Sequence, residues 1–310
     1  MSTLKVIGHV NPDTDSTCSP IVYAWYLTNL KGIDAKPYLA GQPNKEALYV
    51  LNKFGIEKSE VITNFEEADN IVLIDTNNAD ELLPGYENAE IVEIVDHHKL
   101  FGNLITSSPI TISMEPVACV ATIIWDKIKQ VNDSNIPIEM AGLLLAAIIS
   151  DTLKFTSPTT TEKDRIAVKE LSEISKIDIG DLANEMFEAK SDLSGMTADD
   201  ILHVDSKVFE FGDKKLRISV LETTKPANAL AMKSDIIDRM NELKREGIDG
   251  VLLYVVDILN TSSEVIVPSD FEKEIVRKAH NVEFNAETVT LPGVVSRKKQ
   301  IAPNIEKALT

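Results

Sequence analysis

The chain is predicted to be α/β: a mostly parallel N-terminal sheet flanked by helices, followed by a smaller C-terminal α/β region with a mixed sheet. Three observations predict this. Short apolar runs alternate with helical patterns through the first half, the sequence form of right-handed βαβ units. That periodicity lapses between residues 187 and 199, where Ser, Gly and Asp accumulate. After the lapse, two strand-like runs joined at Gly212-Asp213-Lys214-Lys215 suggest an antiparallel hairpin. The expected division is residues 1–190, a linker at 191–198, and residues 199–310.

Taken in order, Leu4–Ile7, Lys36–Leu39, Glu60–Ile62, Ile71–Asp75 and Ile91–Val95 are apolar enough and short enough to be strands. Between and after them, Ser16–Leu30, Asn44–Phe54, Val117–Val131, Pro137–Ile149, Thr161–Ser175 and Ile179–Lys190 carry helical spacing. In the second half Val204–Phe211 and Leu216–Leu221 read as the hairpin strands. A long amphipathic helix is expected over Ala227–Arg245, then strands at Gly250–Val256 and Glu264–Val267 and a helix around Phe271–Lys278. The sequence contains no internal repeat, no GxxxxGK[ST] loop and no GxGxxG.

Composition narrows the function. With 44% apolar and 26% charged residues the chain is of the soluble globular kind, and its longest wholly apolar stretch, Leu143–Ile149, is far too short to span a bilayer. No signal peptide is visible after Met1-Ser2-Thr3, and the two cysteines, Cys18 and Cys119, lie in no CxxC. A cytoplasmic protein with two reduced, partly buried thiols is the expectation. A net charge of −18 argues against a general nucleic-acid binder, since affinity for a polyphosphate backbone needs clustered Lys and Arg. A small anionic substrate remains open, because cations held by carboxylates would supply positive charge locally.

The chemistry gathers at strand ends. Asp96-His97-His98 closes the run Ile91–Val95, and His9-Val10-Asn11-Pro12-Asp13-Thr14-Asp15-Ser16 follows Leu4–Ile7. Pro12 and the spacing of His9, Asp13 and Asp15 place the second group on a loop, with Ser16 or Thr17 available to cap the next helix. Asp75 ends another strand, and Asp151 follows an apolar helix, where an acid is unfavourable against the helix dipole. In open α/β sheets the carboxyl ends of strands converge on one edge. So many carboxylates and imidazoles would repel or desolvate one another there unless cations lay between them. The mixed donors suit Mn²⁺, Fe²⁺, Co²⁺ or Zn²⁺, and their number suits two ions sharing a carboxylate. Near the C-terminus, Ser296-Arg297-Lys298-Lys299-Gln300 presents three cations after a Pro292-Gly293 turn, on an expected loop suited to phosphate.

These motifs, with Glu115-Pro116-Val117-Ala118-Cys119-Val120-Ala121-Thr122 and Ser157-Pro158-Thr159, resemble family II inorganic pyrophosphatases of the DHH phosphoesterase superfamily. The resemblance covers essentially the whole chain, and SRKKQ separates pyrophosphatases from most other DHH enzymes. It implies a DHH domain and a smaller C-terminal domain, with the active site in the cleft between them. It implies one metal held by His9, Asp13 and Asp75 and a second held by Asp15, Asp75, His97 and Asp151, with Asp75 as the bridge. The metals would be Mn²⁺ or Co²⁺, two per subunit, with further Mg²⁺ or Mn²⁺ arriving with substrate. His98, Lys207, Arg297 and Lys298 would contact pyrophosphate, and a metal-bridged hydroxide would attack one phosphorus. A homodimer through the N-terminal domain is implied, with no nucleic-acid or membrane partner.

The chain departs from the family pattern at Thr76-Asn77-Asn78, where many members carry His-Asn-Glu. It also has no room for the regulatory nucleotide-binding insert of some relatives. The alternatives are a DHH phosphodiesterase acting on cyclic dinucleotides or short oligonucleotides, and a non-catalytic phosphate-binding relative. The first should need a base-stacking surface, yet aromatics are only 5% of the chain, and the second a lost ligand, yet none is missing.

Overall fold

The computed structural model describes residues 3–309 apart from 68, 133, 134, 285 and 286, so Met1 and Ser2 lie outside the described residues. The chain forms two compact units, Met1–Ala189 and Lys190–Thr310. Among the described residues no helix is long and apolar enough to cross a membrane.

The first unit runs β1 (Leu4–Ile7), α1 (Thr14–Leu30), β2 (Ala35–Leu39), α2 (Lys45–Lys53), β3 (Glu60–Val61), β4 (Asn70–Ile74), β5 (Glu90–Asp96) and β6 (Thr111–Met114). Four helices follow: α3 (Val120–Asn132), α4 (Ile138–Asp151), α5 (Glu162–Ser175) and α6 (Ile179–Lys190). The strands pair in the order β3-β2-β1-β4-β5-β6, all parallel. From β1 the chain winds outward to β2 and β3, then returns to lay β4 on β1's other side. That reversal separates the flanking connections and leaves a crevice at the carboxyl ends of β1 and β4. A shift of register between Ile71 and Val72 sets an extra residue into β5, so that Ile74 pairs with Val95 and the ends of β4 and β5 finish side by side.

Burial explains which elements form. Ile71 to Ile74 are fully buried, as a central parallel strand covered on both faces requires. Helix α4 is buried from Ala141 through Ser150 and packs against α1 and α5, so its apolar character runs all round rather than along one stripe. At the end of β1 a Cβ on Gly8 would collide with the Ser16 hydroxyl; glycine lets the strand end and the first turn of α1 meet.

The second unit contains α7 (Ala198–His203), β7 (Ser206–Phe211), β8 (Lys214–Thr223), α8 (Pro226–Ala231), α9 (Lys233–Arg245), β9 (Gly250–Asp257), β10 (Ser262–Ile266), α10 (Asp270–His280), β11 (Thr288–Pro292) and α11 (Ala302–Leu309). Its sheet, β11-β10-β9-β8-β7, is mixed: β8 and β9 are parallel and the other pairs antiparallel. The β7–β8 hairpin turns on Gly212-Asp213, with Gly212 at φ 63°. Leu221, Val251, Leu253, Val255 and Ile266 of the sheet pack with Ile201, Leu202, Ile236, Met240 and Leu243 of the helices.

Several expectations are corrected. The single helix over Ala227–Arg245 is two, because the N–H of Met232 turns back to Ala229 and closes α8 before α9 starts. Strands β6 and β11 escape the sequence reading: both are short and much of each is exposed, so neither carries a buried apolar run. Arg297–Ile301 is not an open loop but one turn of π-helix running into α11. Ser296 accepts from Lys299 N, and Gln300 pins the turn by accepting from Val295 N and Ser296 N and donating to Gly293 O. Cys18 and Cys119 are wholly, not partly, buried.

Candidate metal centre

The carboxyl ends of β1, β4 and β5 lie next to one another in the sheet, and the loop after each carries an acid or an imidazole. His9 follows β1 through Gly8. Its Nδ1 donates to Val10 O at 2.8 Å, which leaves Nε2 aimed at Asp75 Oδ2, 3.4 Å away. Asp13 rather than Ser16 or Thr17 caps α1: its backbone is extended, and its Oδ1 accepts from Ser16 N at 2.9 Å. The helix starts one residue later, so Ser16 and Thr17 are already inside its first turn. The other Asp13 oxygen stands 3.9 Å from His9 Nε2.

Asp75 follows β4 in the left-handed region, at φ 65°, while its N–H still bonds to Val95 O. An aspartate tolerates that conformation better than most residues, at a cost of about 1 kcal/mol. The result is a buried carboxylate with one oxygen facing each of two imidazoles: Oδ2 toward His9, and Oδ1 3.2 Å from His97 Nε2. Asp75 Oδ1 is buried and has no aligned hydrogen bond. His97 is held like His9, its Nδ1 donating to Val117 O at 3.0 Å. Asp15, in the first turn of α1, is fully buried and accepts from Val120 N at 2.8 Å, from the Ser19 hydroxyl and from the Cys119 thiol. Asp151, the last residue of α4, completes the set.

Ligand atoms of His9, Asp13 and Asp75 lie within 4.8 Å of one another, and so do those of Asp15, His97 and Asp151 and those of Asp75, His97 and His98. All six sequence-predicted ligands therefore meet in the first unit. His98 is there too, but its Nδ1 donates to Asp96 Oδ1 at 2.9 Å, so its Nε2 is the atom available to a ligand. Asp96 has no role in the sequence reading. It is fully buried, accepts also from the N–H groups of His97 and His98, and takes a hydrogen bond from Asn77. Asn77 in turn bonds to Lys99 O and Phe101 N, while Asn78 caps the short turn Ala79–Glu81. Thr76-Asn77-Asn78 thus brace the site without joining it.

The electrostatics are those of crowded like groups. Burial works against charge on His9, but the hydrogen bond to Asp75 and the charges of Asp13 and Asp75 lift its pKa to about 10. Burial and the charge of Asp75 push Asp15 up to about 7. Burial would raise Asp75 as well, yet His9, His97 and His98 hold it below the usual carboxylate range. His98 is lowered, by burial and by the charge of His97. Four carboxylates and two imidazoles sharing protons in this way form a donor set that divalent cations fit, with metal taking the place of the protons.

The cationic candidates lie in the second unit. Lys207 is on β7, and Lys298 is on the π-turn. Arg297 donates through Nη2 to Asp205 Oδ1 at 2.7 Å, while its Nη1 is buried with no hydrogen-bond partner among the described residues.

Comparison with known proteins agrees with this architecture. The DHH family, N-terminal domain, matches residues 3–148, and the DHHA2 domain matches residues 184–308. A probable manganese-dependent inorganic pyrophosphatase of Deinococcus radiodurans is 39% identical over 310 residues, covering 98% of both chains. One from Bacillus licheniformis is 39% identical over 311 residues, covering all of this chain and 99% of that one. A solved Methanococcus jannaschii structure, described as a family II inorganic pyrophosphatase, superposes with a TM-score of 0.85 at 35% identity, covering 99% of each chain. Two-domain fold, paired acid–imidazole groups and full-length similarity lead to one assignment: the chain belongs to the manganese-dependent, family II inorganic pyrophosphatases.

Proposed function

We propose that this chain hydrolyses inorganic pyrophosphate to two phosphates, with two divalent transition-metal ions held at the Asp75 cluster. One ion is assigned to His9, Asp13 and Asp75, the other to Asp15, Asp75, His97 and Asp151. The observation that carries the reading is Asp75, which offers a separate oxygen to each group. The donor set favours Mn²⁺ or Co²⁺, with further Mg²⁺ or Mn²⁺ accompanying the substrate. When bound, such ions acidify a water and neutralise phosphoryl oxygens.

The protein's own groups do the rest. The Val10 and Val117 carbonyls fix which nitrogen of His9 and His97 is free to ligate. Asp96 holds His98 by Nδ1 so that Nε2 can reach a phosphate oxygen. Arg297, Lys298 and Lys207 supply positive charge to the phosphates, Arg297 through a planar fork already oriented by Asp205. The working form we propose is a homodimer through the first unit. There β6 is an outer strand with Ile112 about half exposed, beside an apolar hollow lined by Leu100, Leu104 and Ile110. An unpaired strand edge next to exposed apolar side chains is suited to a second copy of the same chain. Two free, buried cysteines are in keeping with a reducing, cytoplasmic setting.

The deciding experiment measures phosphate release with Mn²⁺ from pyrophosphate, ATP, an oligonucleotide and a cyclic dinucleotide. Pyrophosphate should be cleaved and the others left nearly untouched. Comparable rates on pyrophosphate and the cyclic dinucleotide would overturn the substrate assignment.

A further inference from the structure

Glu46 stands in the first turn of α2, fully buried, and the metal centre as described makes no use of it. One of its oxygens, Oε2, accepts from the Thr14 hydroxyl and from the Ser150 hydroxyl, each at 2.7 Å. Thr14 lies between Asp13 and Asp15, and Ser150 precedes Asp151. A single oxygen thus joins hydroxyls on α1 and α4, each one residue from a candidate ligand. The start of α2 is tied to the same loop a second time, because Asn44, its cap, donates its N–H to Pro12 O at 3.3 Å.

Burying a carboxyl group is costly even when it is hydrogen-bonded, and an apolar residue of similar size would serve packing as well. A group kept under those conditions asks for a reason in its partners. Here the partners are segments that must bring ligand atoms within a few ångströms of one another. Without Glu46 the Ser150 hydroxyl would be free to turn back to the carbonyls of its own helix, and the Thr14 hydroxyl, at the first position of α1, would lose the acceptor that joins it to α4. We propose that Glu46 is a positioning residue of the metal centre: by gripping Thr14 and Ser150 it sets the spacing between the Asp13–Asp15 segment and Asp151, and so the tightness with which the cations are held. This rests on the two-metal reading above.

The test uses the full chain stripped by chelation and titrated with Mn²⁺, with free Mn²⁺ followed by electron paramagnetic resonance. Wild type must bind tightly; if it does not, the two-metal reading itself falls. Given tight wild-type binding, Glu46→Leu should weaken Mn²⁺ about 10- to 100-fold, the usual cost of losing a group that orients ligands. Glu46→Gln should stay within about threefold, because its amide oxygen still accepts both hydroxyls. Ser150→Ala and Thr14→Val should each weaken binding alone and add little on the Glu46→Leu background. Wild-type affinity in Glu46→Leu overturns the proposal. So does a lowered metal-free melting temperature with unchanged affinity, which would make Glu46 a brace of the fold only, or a Gln variant as weak as Leu. If Glu46→Leu does not fold, the two hydroxyl variants decide, and unchanged Mn²⁺ affinity in both overturns the proposal.

Discussion

Each oxygen of Asp75 faces a different imidazole, whereas Arg297 lies in the other unit and is held by Asp205. Substitutions at the two positions should therefore fail differently. Asp75→Ala should lose its bound metal and about 10³-fold or more in turnover, since two cations would repel without a shared anion. Arg297→Ala should keep its metal and still lose on the order of 10²-fold, the effect of removing a preorganised donor to a charged transition state. Elemental analysis with phosphate-release kinetics separates them; metal loss in Arg297→Ala would contradict the assigned roles. At this scale the candidate ligands that the fold brings together are legible in the sequence, because an acid or imidazole ending an apolar run has few bland explanations. Other roles are hidden because they depend on contacts distant in sequence. Glu46 reads as an ordinary acid in a helix's first turn, and only the fold brings it to Thr14 and Ser150. Asp96 belongs to a visible motif, yet its grip on His98 is a matter of side-chain geometry.

Between residue and fold lie segments that no periodicity announces. Directly after α4, Leu153, Lys154 and Phe155 stand at φ 46°, 51° and 71°, three successive residues in a conformation that L-residues adopt singly at most. Lys154 is exposed, so its replacement disturbs little packing. Lys154→Gly should therefore stabilise the first unit by about 0.5–1 kcal/mol in thermal unfolding, although glycine usually weakens a folded chain. Lys154→Ala should give no such gain, and a Gly variant less stable than wild type would refute the strain. In the second unit His280, at the end of α10, shares a hydrogen bond with the buried Tyr254 hydroxyl at 3.1 Å, and burial lowers its pKa from the ordinary 6.5. The unfolded chain then protonates first on acidification. The unit should keep its full stability above pH 6.5 and lose it progressively as pH falls below that value. Denaturant midpoints compared on either side of pH 6.5 should show a slope that His280→Gln reduces. Element types in the first unit are legible because buried strands and helices have distinct periods. The break at Met232 is not, since the amphipathic pattern of Ala227–Arg245 runs through it. The π-turn is hidden as well, because its stabilising bonds come from Ser296 and Gln300, not from the cations that catch the eye.

For the whole molecule the first question is copy number. Light scattering with Mn²⁺ present should give twice the 34.2 kDa of one chain, and Ile112→Lys should return it to about one. A single-chain mass for wild type would remove the proposed dimer. Alternation of strands and helices and the lapse after residue 187 make the two-part organisation readable; strand order within each sheet is not, because pairing is decided by contacts across the fold. That order has a consequence in time. The six candidate ligands run from His9 to Asp151, so every strand of the first sheet after β1 lies between the first and the last of them. A ribosome releases the chain from its N-terminus, and His9, Asp13 and Asp15 emerge long before Asp151 exists. The set of His9, Asp13 and Asp75 is complete once β4 has emerged, whereas the set that includes Asp151 cannot form until α4 has been made. A cation held by Asp15, His97 and Asp151 would in this sense mark a late stage in the birth of the molecule, reached only after every strand of the first sheet has been laid down.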